Sequence, residues 1–428
     1  MSIKVNIDEI ENDQRDQINE KLMIKIEDEK GFAPPRSFFL PEIIGDYIYL
    51  PFSYSTNVLK RKRRKRDEFP PMDIKFNGTL RPEQKIVKSE AIEHLNKTGS
   101  VIISAYCGFG KSFTALSIAQ AIKLKTLIIV NGLVLIDQWI DDIKTIFDGA
   151  SVQLIETKTK KKDSDFYIMN AINVKKMGED FFKDIGLVIC DEIHLIMAEK
   201  LSSCMQFIFP RYLIGLSATP YREDGLDILL ELYFGKNKII RELHRKHVVL
   251  QVNTGFKIPM EKTSQGRVNW GAVLKHQSDS SVRNDFIVKL IQEFPKRNFL
   301  VLTKRVTQAR SLVKKLKAVG ESVTSLIGSE KKFDKEARIL VAIPKKCGTG
   351  FNHPKLDALM LCSDIEAYFI QVLGRVFRRE DSSPVIFDLV DDNFILHKHF
   401  ETRKGVYEKI GGVIKNFFKE FPEFEKIN

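Results

Sequence analysis

The tightest constraint on this chain is a loop: Ala105-Tyr106-Cys107-Gly108-Phe109-Gly110-Lys111-Ser112 closes the apolar run Ser100–Ala105 and opens a helical stretch. In that stretch Ala115, Ile118, Ala119 and Ile122 recur at i, i+3, i+4 and i+7, one face of a helix. Glycines placed between a strand and a helix let backbone N–H groups converge on an anion, and the helix N-terminus adds partial positive charge. Lys111 is then placed to reach the β- and γ-phosphates of a nucleotide, with Gly108 and Gly110 shaping the cradle and the Ser112 hydroxyl on Mg²⁺. A chance glycine-rich turn with a solvated lysine is the bland alternative, but such a turn requires neither the strand before it nor the helix after it.

The same alternation continues on both sides of the chain's middle. Thr126–Val130, Phe166–Met169, Leu187–Cys190 and Leu213–Leu216 are continuous apolar runs, the pattern of strands covered on both faces. Strands alternating with helical patterns predict a parallel α/β sheet with right-handed crossovers. A second run starts with a helix over Val282–Phe294 and a strand over Phe299–Thr303. A helix over Val306–Val319 follows, turning Val306, Ala309, Val313 and Leu316 inward and stopping at Gly320, and then strands over Ile339–Ile343, Ala358–Cys362 and Val385–Leu389. Residues 241–281 are mixed and partly polar, and read as a connection between the two runs. Residues 1–77 read as a small accessory domain of short strands, such as Tyr47–Phe52, ending in a basic linker; the last thirty residues read as helical.

Composition sets the outer limits. At 428 residues, with 43% hydrophobic and 29% charged residues, the chain fits a globular protein of two or three domains. No run of 18 or more apolar residues occurs, so no membrane helix is expected. The first residues, MSIKVNIDEIENDQRDQ, lack the apolar core of a secretory signal, and an intracellular location is expected, with cytoplasm, virion and nucleus left open. Cys107, Cys190, Cys204, Cys347 and Cys362 stand singly, which argues for a reducing compartment and against a structural zinc or iron–sulfur centre. The net charge of +12 favours a polyanionic partner, but the seven residues Lys60 to Arg66 supply more than half of it. That run has three readings: a solvated linker, a phosphate-gripping arm, or a nuclear import signal.

Three further segments carry chemistry. Asp191-Glu192-Ile193-His194 follows the strand Leu187–Cys190, and the carboxyl end of a parallel strand is where ligands bind in such sheets. Asp191 is placed to hold Mg²⁺, and Glu192 to act as general base on a water. Ser217-Ala218-Thr219 ends the next strand, where hydroxyls either relay hydrogen bonds from a nucleotide site or merely cap a turn before Pro220. In Gln371-Val372-Leu373-Gly374-Arg375-Val376-Phe377-Arg378, a helix puts Gln371, Arg375 and Arg378 on one face. These guanidinium groups suit a transferring phosphoryl, although an exposed basic face is also common.

Taken in order, these segments resemble the superfamily 2 helicases and translocases from Leu80 to about Arg379. Leu80-Arg81-Pro82-Glu83-Gln84 is similar to the adenine-recognising element, implying that Arg81 and Gln84 contact the nucleotide. Thr126 to Trp139 resembles motif Ia, with Gln138 toward nucleic acid. DEIH resembles motif II of the DExH branch, and Ser217 to Pro220 motif III; His194, Ser217 and Thr219 then couple nucleotide to nucleic acid. Leu302-Thr303-Lys304-Arg305 sits where motif IV would be. Gly348-Thr349-Gly350-Phe351-Asn352-His353-Pro354 is similar to motif V, bringing Thr349 and Gly350 into that coupling set, and QVLGRVFR to motif VI, bringing Gln371 to the nucleotide. Tyr221 to Gly225 and the pair Arg283-Asn284 are similar to the XPB-like branch, within it most of all to the transcript-release helicases of poxviruses and other large DNA viruses.

The resemblance implies two tandem RecA-like parallel-sheet lobes: 78–240 for ATP binding and 282–428 as the C-terminal lobe, after the small N-terminal accessory domain. It also implies ATP with Mg²⁺, and catalysis by Lys111, Asp191, Glu192, Arg375 and Arg378. A nucleic-acid track, DNA before RNA, would be travelled 3′ to 5′ in transcription or repair, beside transcription or replication machinery. Three residues depart from the pattern: Asn131 stands for a proline in motif Ia, Asn352 for an aspartate and His353 for an aliphatic residue in motif V. Asn352 keeps a hydrogen-bonding group but loses a charge, which predicts altered coupling between hydrolysis and movement. A nucleotide-gated clamp, or an RNA-directed DExH motor that does not separate strands, therefore stays in play. The motor of a restriction nuclease is disfavoured, because no carboxylate–lysine nuclease cluster is evident.

Overall fold

A computed structural model describes residues 1–26, 36–197, 206–218, 227–330, 332–348, 353, 355–365, 369–377 and 382–424. The chain divides into two compact units, Met1–Arg241 and Glu242–Asn428.

In the first unit a seven-stranded sheet runs in the order Lys238–Arg241, Ser100–Ala105, Tyr212–Ser217, Leu187–Asp191, Thr126–Val130, Phe166–Asn170, Val152–Ile155. All neighbours pair in parallel. The four strands from Ser100–Ala105 to Thr126–Val130 are buried at every residue, which explains why they read as unbroken apolar runs. Alternate residues feed two cores. Ile102, Leu127, Ile129, Val188 and Leu213 face one, and Val101, Ile103, Ile128, Ile189 and Ile214 the other.

The N-terminal region forms a three-stranded antiparallel sheet, Ser2–Asn6 beside Tyr47–Pro51 beside Glu42–Ile44, and a pair Met23–Ile26 with Arg36–Phe39. It differs from an independent domain in one respect: Val5, Ile10, Ile48, Leu50 and Phe52 belong to the same hydrophobic cluster as Ile102, Leu127 and Val188 of the large sheet. A parallel sheet must be covered on both faces, and this region supplies part of one cover.

The basic run is not a free linker. Its arginines turn onto backbone carbonyls: Arg63 donates to Leu95 O and Asn96 O (3.0 Å each), near the end of the helix Pro82–Thr98. Arg66 donates to Ile122 O (2.7 Å), the end of the helix Lys111–Ile122. Arg61 donates to Glu9 O (2.8 Å), and Arg64 to Lys183 O (2.9 Å) and Glu68 Oε2 (3.0 Å). Cations at helix C-termini meet unpaired carbonyls and the negative end of the dipole, so the run is fastened down as a strap.

The second unit holds another seven-stranded, all-parallel sheet, in the order Val323–Leu326, Ile339–Ala342, Phe299–Leu302, Ala358–Leu361, Val385–Asp392, His247–Lys257, Gly412–Asn416. The two sheets with their helices are the tandem RecA-like lobes expected of the chain. The stretch read as a connection, 241–281, contributes the strand His247–Lys257 and the helix Trp270–Asp279 to this unit. That strand alternates buried and half-buried residues beside an edge strand, and its polar members Gln251 and Asn253 disguise it among mixed sequence. The C-terminal stretch read as helical contains the helix Phe394–Lys409, the edge strand Gly412–Asn416 and a short turn of helix, Phe417–Glu420.

Candidate nucleotide site

Residues of three adjacent strand ends meet in the first unit: Ala105 leads into the glycine loop, Ser217 ends its neighbour, and Asp191 ends the strand beyond. The loop is shaped by Gly108 and Gly110, at φ +94° and +87°. The backbone at Gly110 favours glycine, and a Cβ there would lie 2.5 Å from Gln84 Nε2 and displace that amide. Phe109 is the anchor, fully buried, its ring edge-on to Tyr106 at 5.6 Å.

The helix Pro82–Thr98 braces this loop from below. Gln84 donates from Nε2 to Phe109 O (2.8 Å) and accepts from Arg81 N on Oε1 (2.9 Å). The Arg81 guanidinium donates to Gly108 O (3.1 Å) and to Phe109 O. Both residues named as nucleotide contacts thus hold the loop's carbonyls in this structure. Lys111 opens the helix Lys111–Ile122, and its ammonium donates to Ala105 O (2.8 Å) at the strand end; Ser112 follows it, half-buried.

Asp191 is buried, and its carboxylate is held from two sides. Trp139 Nε1 donates to Oδ2 and the Glu192 backbone N–H to Oδ1, both at 3.0 Å. Burial and the adjacent Glu192 charge push its pKa up to about 6, against the pull of the Trp139 hydrogen bond and the Lys111 ammonium. Glu192 sits at φ +51°, a left-handed conformation that costs a non-glycine residue about 1–3 kcal/mol. Its Oε2 is buried with no hydrogen-bond partner among the described residues and lies 3.5 Å from His194 Nδ1. His194 Nδ1 shares a hydrogen bond with Ser217 Oγ (3.0 Å), which joins the DEIH segment to the Ser-Ala-Thr segment across neighbouring strands.

A divalent cation fits this donor set. Mg²⁺ needs only one or two protein oxygens beside phosphate and water, and no cluster of three or more metal-binding side chains exists among the described residues. Asp191 would hold it with Ser112, and the unpartnered oxygen of Glu192 marks a place where positive charge or a water proton is wanted.

Two participants escaped the sequence reading. Trp139 is almost fully buried, and Asp142, one turn further along the helix Leu133–Ile146, has its pKa raised to about 6 by burial and by the charges of Asp141 and Asp191. The signal was the i, i+3 spacing of the two residues, together with the need of a buried indole N–H for an acceptor. Gln138, assigned to nucleic acid, lies exposed on the same helix.

In the second unit the helix Phe369–Val376 carries the positions of Gln371 and Arg375; their side chains, and Arg378, Thr219, Thr349, Gly350, Asn352 and Tyr221 to Gly225, lie outside the described residues. Arg283 and Asn284 are buried. Arg283 Nε donates to Asp391 Oδ1 (2.9 Å) and Nη1 to Cys362 O (2.8 Å), and Asn284 donates to Ser278 O (2.9 Å). His353 is buried and stacked on Phe333 at 5.8 Å, with burial lowering its pKa.

Comparison with known proteins agrees with this geometry. Residues 77–222 match the family described as "Type III restriction enzyme, res subunit". The chain is 40% identical to "Putative helicase 161L" of Invertebrate iridescent virus 6, over 97% of this chain and 100% of that protein. It is 31% identical to "Putative helicase 055L" of Frog virus 3, over 87% and 86%. It is 27% identical to "Putative ATP-dependent RNA helicase L396" of Acanthamoeba polyphaga mimivirus, over 85% and 75%. Among solved structures, S. cerevisiae Dbp5 bound to RNA and ADP BeF3 shares the fold, with a TM-score of 0.55 at 16% identity over 80% of this chain and 96% of that one. The relatives span the whole length over which the loop, the DEIH strand end and the second sheet were read, and the chain belongs to the superfamily 2 helicases.

Proposed function

We propose that this protein is a nucleic-acid-stimulated ATPase that moves along its track, a helicase or translocase. The observation that supports this most is the arrangement in the first unit: Lys111 at one strand end, Asp191 and Glu192 two strands away, and a His194–Ser217 hydrogen bond tying the DEIH segment to the strand between. Lys111 binds phosphate, Ser112 and Asp191 orient the magnesium-bound nucleotide, and Glu192 takes a proton from the attacking water. Bound Mg²⁺ supplies charge neutralisation at the phosphates. Leaving the Ala105 carbonyl frees the Lys111 ammonium for the nucleotide, and moving Gln84 or Arg81 off the loop carbonyls frees them for the base. Arg375 and Arg378 contribute guanidinium charge to the phosphoryl group and Gln371 contacts the nucleotide, with Gln138, His194, Ser217, Thr219, Thr349 and Gly350 in the coupling set.

The finer reading is a 3′ to 5′ motor on DNA, of the XPB-like branch and close to the viral transcript-release helicases, recruited to transcription. It rests on Arg283-Asn284, Tyr221 to Gly225 and the motif V sequence. RNA is the second reading, favoured by the name of the mimivirus relative. ATPase rates with single-stranded DNA, duplex DNA and RNA side by side test both. The Lys111→Ala chain is expected to lose hydrolysis, and turnover at the wild-type rate in that variant would remove the site assignment. No stimulation by any of the three nucleic acids would remove the motor.

A further inference from the structure

The strap Lys60 to Arg66 does two things with its charges. Its arginines are spent on the protein, while Lys60, Lys62 and Lys65 are exposed, with no hydrogen bond or ion pair from their ammonium groups among the described residues. Lys183, whose carbonyl receives Arg64, is likewise exposed and unpaired.

Two concavities flank the strap. One, of about 350 Å³, is lined by Lys4, Lys62, Arg64 and Lys183, with Glu179, Asp180, Ile3 and Phe209. Glu179 is already engaged by Lys4 (3.0 Å) and by the Tyr49 hydroxyl, so Asp180 is the remaining acid in that wall. The other, of about 390 Å³, is lined by Arg66 and Lys123 beside Asp67, Phe69, Pro71 and Leu124. Lys123 adds a further exposed cation.

This surface is remote from the nucleotide loop. Arg63 and Arg66 sit at the C-terminal ends of the helices Pro82–Thr98 and Lys111–Ile122, whose N-terminal ends carry Gln84 and Lys111. At about 1.5 Å per residue, helices of 17 and 12 residues put roughly 25 and 18 Å between the strap and the loop. Unpaired lysines in a row, held on a rigid base and bordered by grooves, suit a repeating anion better than a single one.

We propose that Lys60, Lys62, Lys65 and Lys183 form a second nucleic-acid contact, a fixed rail for the phosphodiester backbone outside the ATP site. The inference rests on the function proposed above. The rail adds sequence-independent, salt-dependent affinity and keeps the chain on its track while the nucleotide site cycles. Unlike a loose arm, its backbone has little conformational freedom left to lose on binding, because the arginines already hold it.

The test replaces all four lysines together in the full chain (Lys60→Ala, Lys62→Ala, Lys65→Ala, Lys183→Ala) and measures the slope of log affinity against log salt. The slope is expected to fall by about 3.6 for duplex DNA, or about 2.8 for a single strand, if all four contact phosphates. ATPase without nucleic acid and the melting temperature stay at wild-type values, and the fourfold Lys→Arg variant keeps the wild-type slope. An unchanged slope in the alanine variant, or an arginine variant as weak as the alanine one, overturns the rail. A wild-type chain whose ATPase responds to no nucleic acid overturns instead the function on which the rail rests.

Discussion

Both units bury carboxylates on or just beyond their central strands, and treat them in opposite ways. In the second unit Asp391 accepts from Arg283, Thr254 (2.7 Å) and Gln277 (2.7 Å). Asp388 accepts from Arg403 at both oxygens and from Tyr407 (2.8 Å each), and Asp364 from Arg403 (3.0 Å), with His399 2.7 Å from its other oxygen. Among the described residues of this network, Arg283 Nη2 is the buried nitrogen left without an acceptor. In the first unit, among the described residues, Asp191 is buried without a cation bonded to it, and Glu192 keeps one buried oxygen unpartnered on a strained backbone. Fully paired carboxylates hold a fold together, whereas carboxylates left short of charge are poised to receive a metal, a proton or a phosphate-bound cation.

Removing the carboxylate proposed as the base should give the largest effect. Glu192→Gln is expected to cut ATP turnover about 10²–10⁴-fold while leaving nucleotide binding and the melting temperature no lower than wild type. A variant that loses stability instead would make Glu192 a structural residue like Asp391. The contrast sharpens with Arg283→Ala, which strands Asp391 in the interior of the second unit. It should cost about 3–5 kcal/mol of stability, read by denaturant unfolding, and a loss below 1 kcal/mol would mean that this network is not what holds the unit's strand ends.

Asp191 tests the first unit from the pH side. Its folded pKa of about 6 lies above the ordinary 3.8, so the folded chain holds this proton more tightly than the unfolded one. The stability it contributes is present below the ordinary value and is lost as pH rises through about 6, on the order of 3 kcal/mol in all. Without nucleotide or Mg²⁺, Asp191→Asn should therefore gain on wild type between pH 4 and 7 and hold a constant advantage above. A wild type that gains on the variant over that range would reverse the assigned shift. Smallest is Trp139→Phe, which keeps the ring packing and deletes the donor to Asp191, a bond to a charged group worth about 1.5–3 kcal/mol. The Mg²⁺ concentration for half-maximal ATPase should rise several-fold with a fall of a few degrees in melting temperature, and an unchanged Mg²⁺ dependence would leave Trp139 as packing alone.

Much of the fold was legible because covered parallel strands cannot hide: Ser100–Ala105, Thr126–Val130 and Leu187–Asp191 are buried throughout and mostly apolar. Edge-proximal elements were not, since half-exposed positions in His247–Lys257 and Gly412–Asn416 accept polar residues and blur the pattern. The candidate site was legible where chemistry is local, in the glycine loop and the DEIH segment. It was illegible where partners come from elsewhere in the chain, as with Trp139 meeting Asp191 across 52 residues.

The sequence alone determined the covered parallel strands, the glycines between Ala105 and Lys111, and the residue types on which phosphate binding and water activation are proposed. The tertiary structure decided which charges are free. Seven consecutive basic residues look alike in one dimension, but helix ends 32 and 56 residues away claim Arg63 and Arg66 and leave the lysines outward. The physical reason is that an ionic group's role is set by its partners, and partners are assigned by packing rather than by neighbours along the chain.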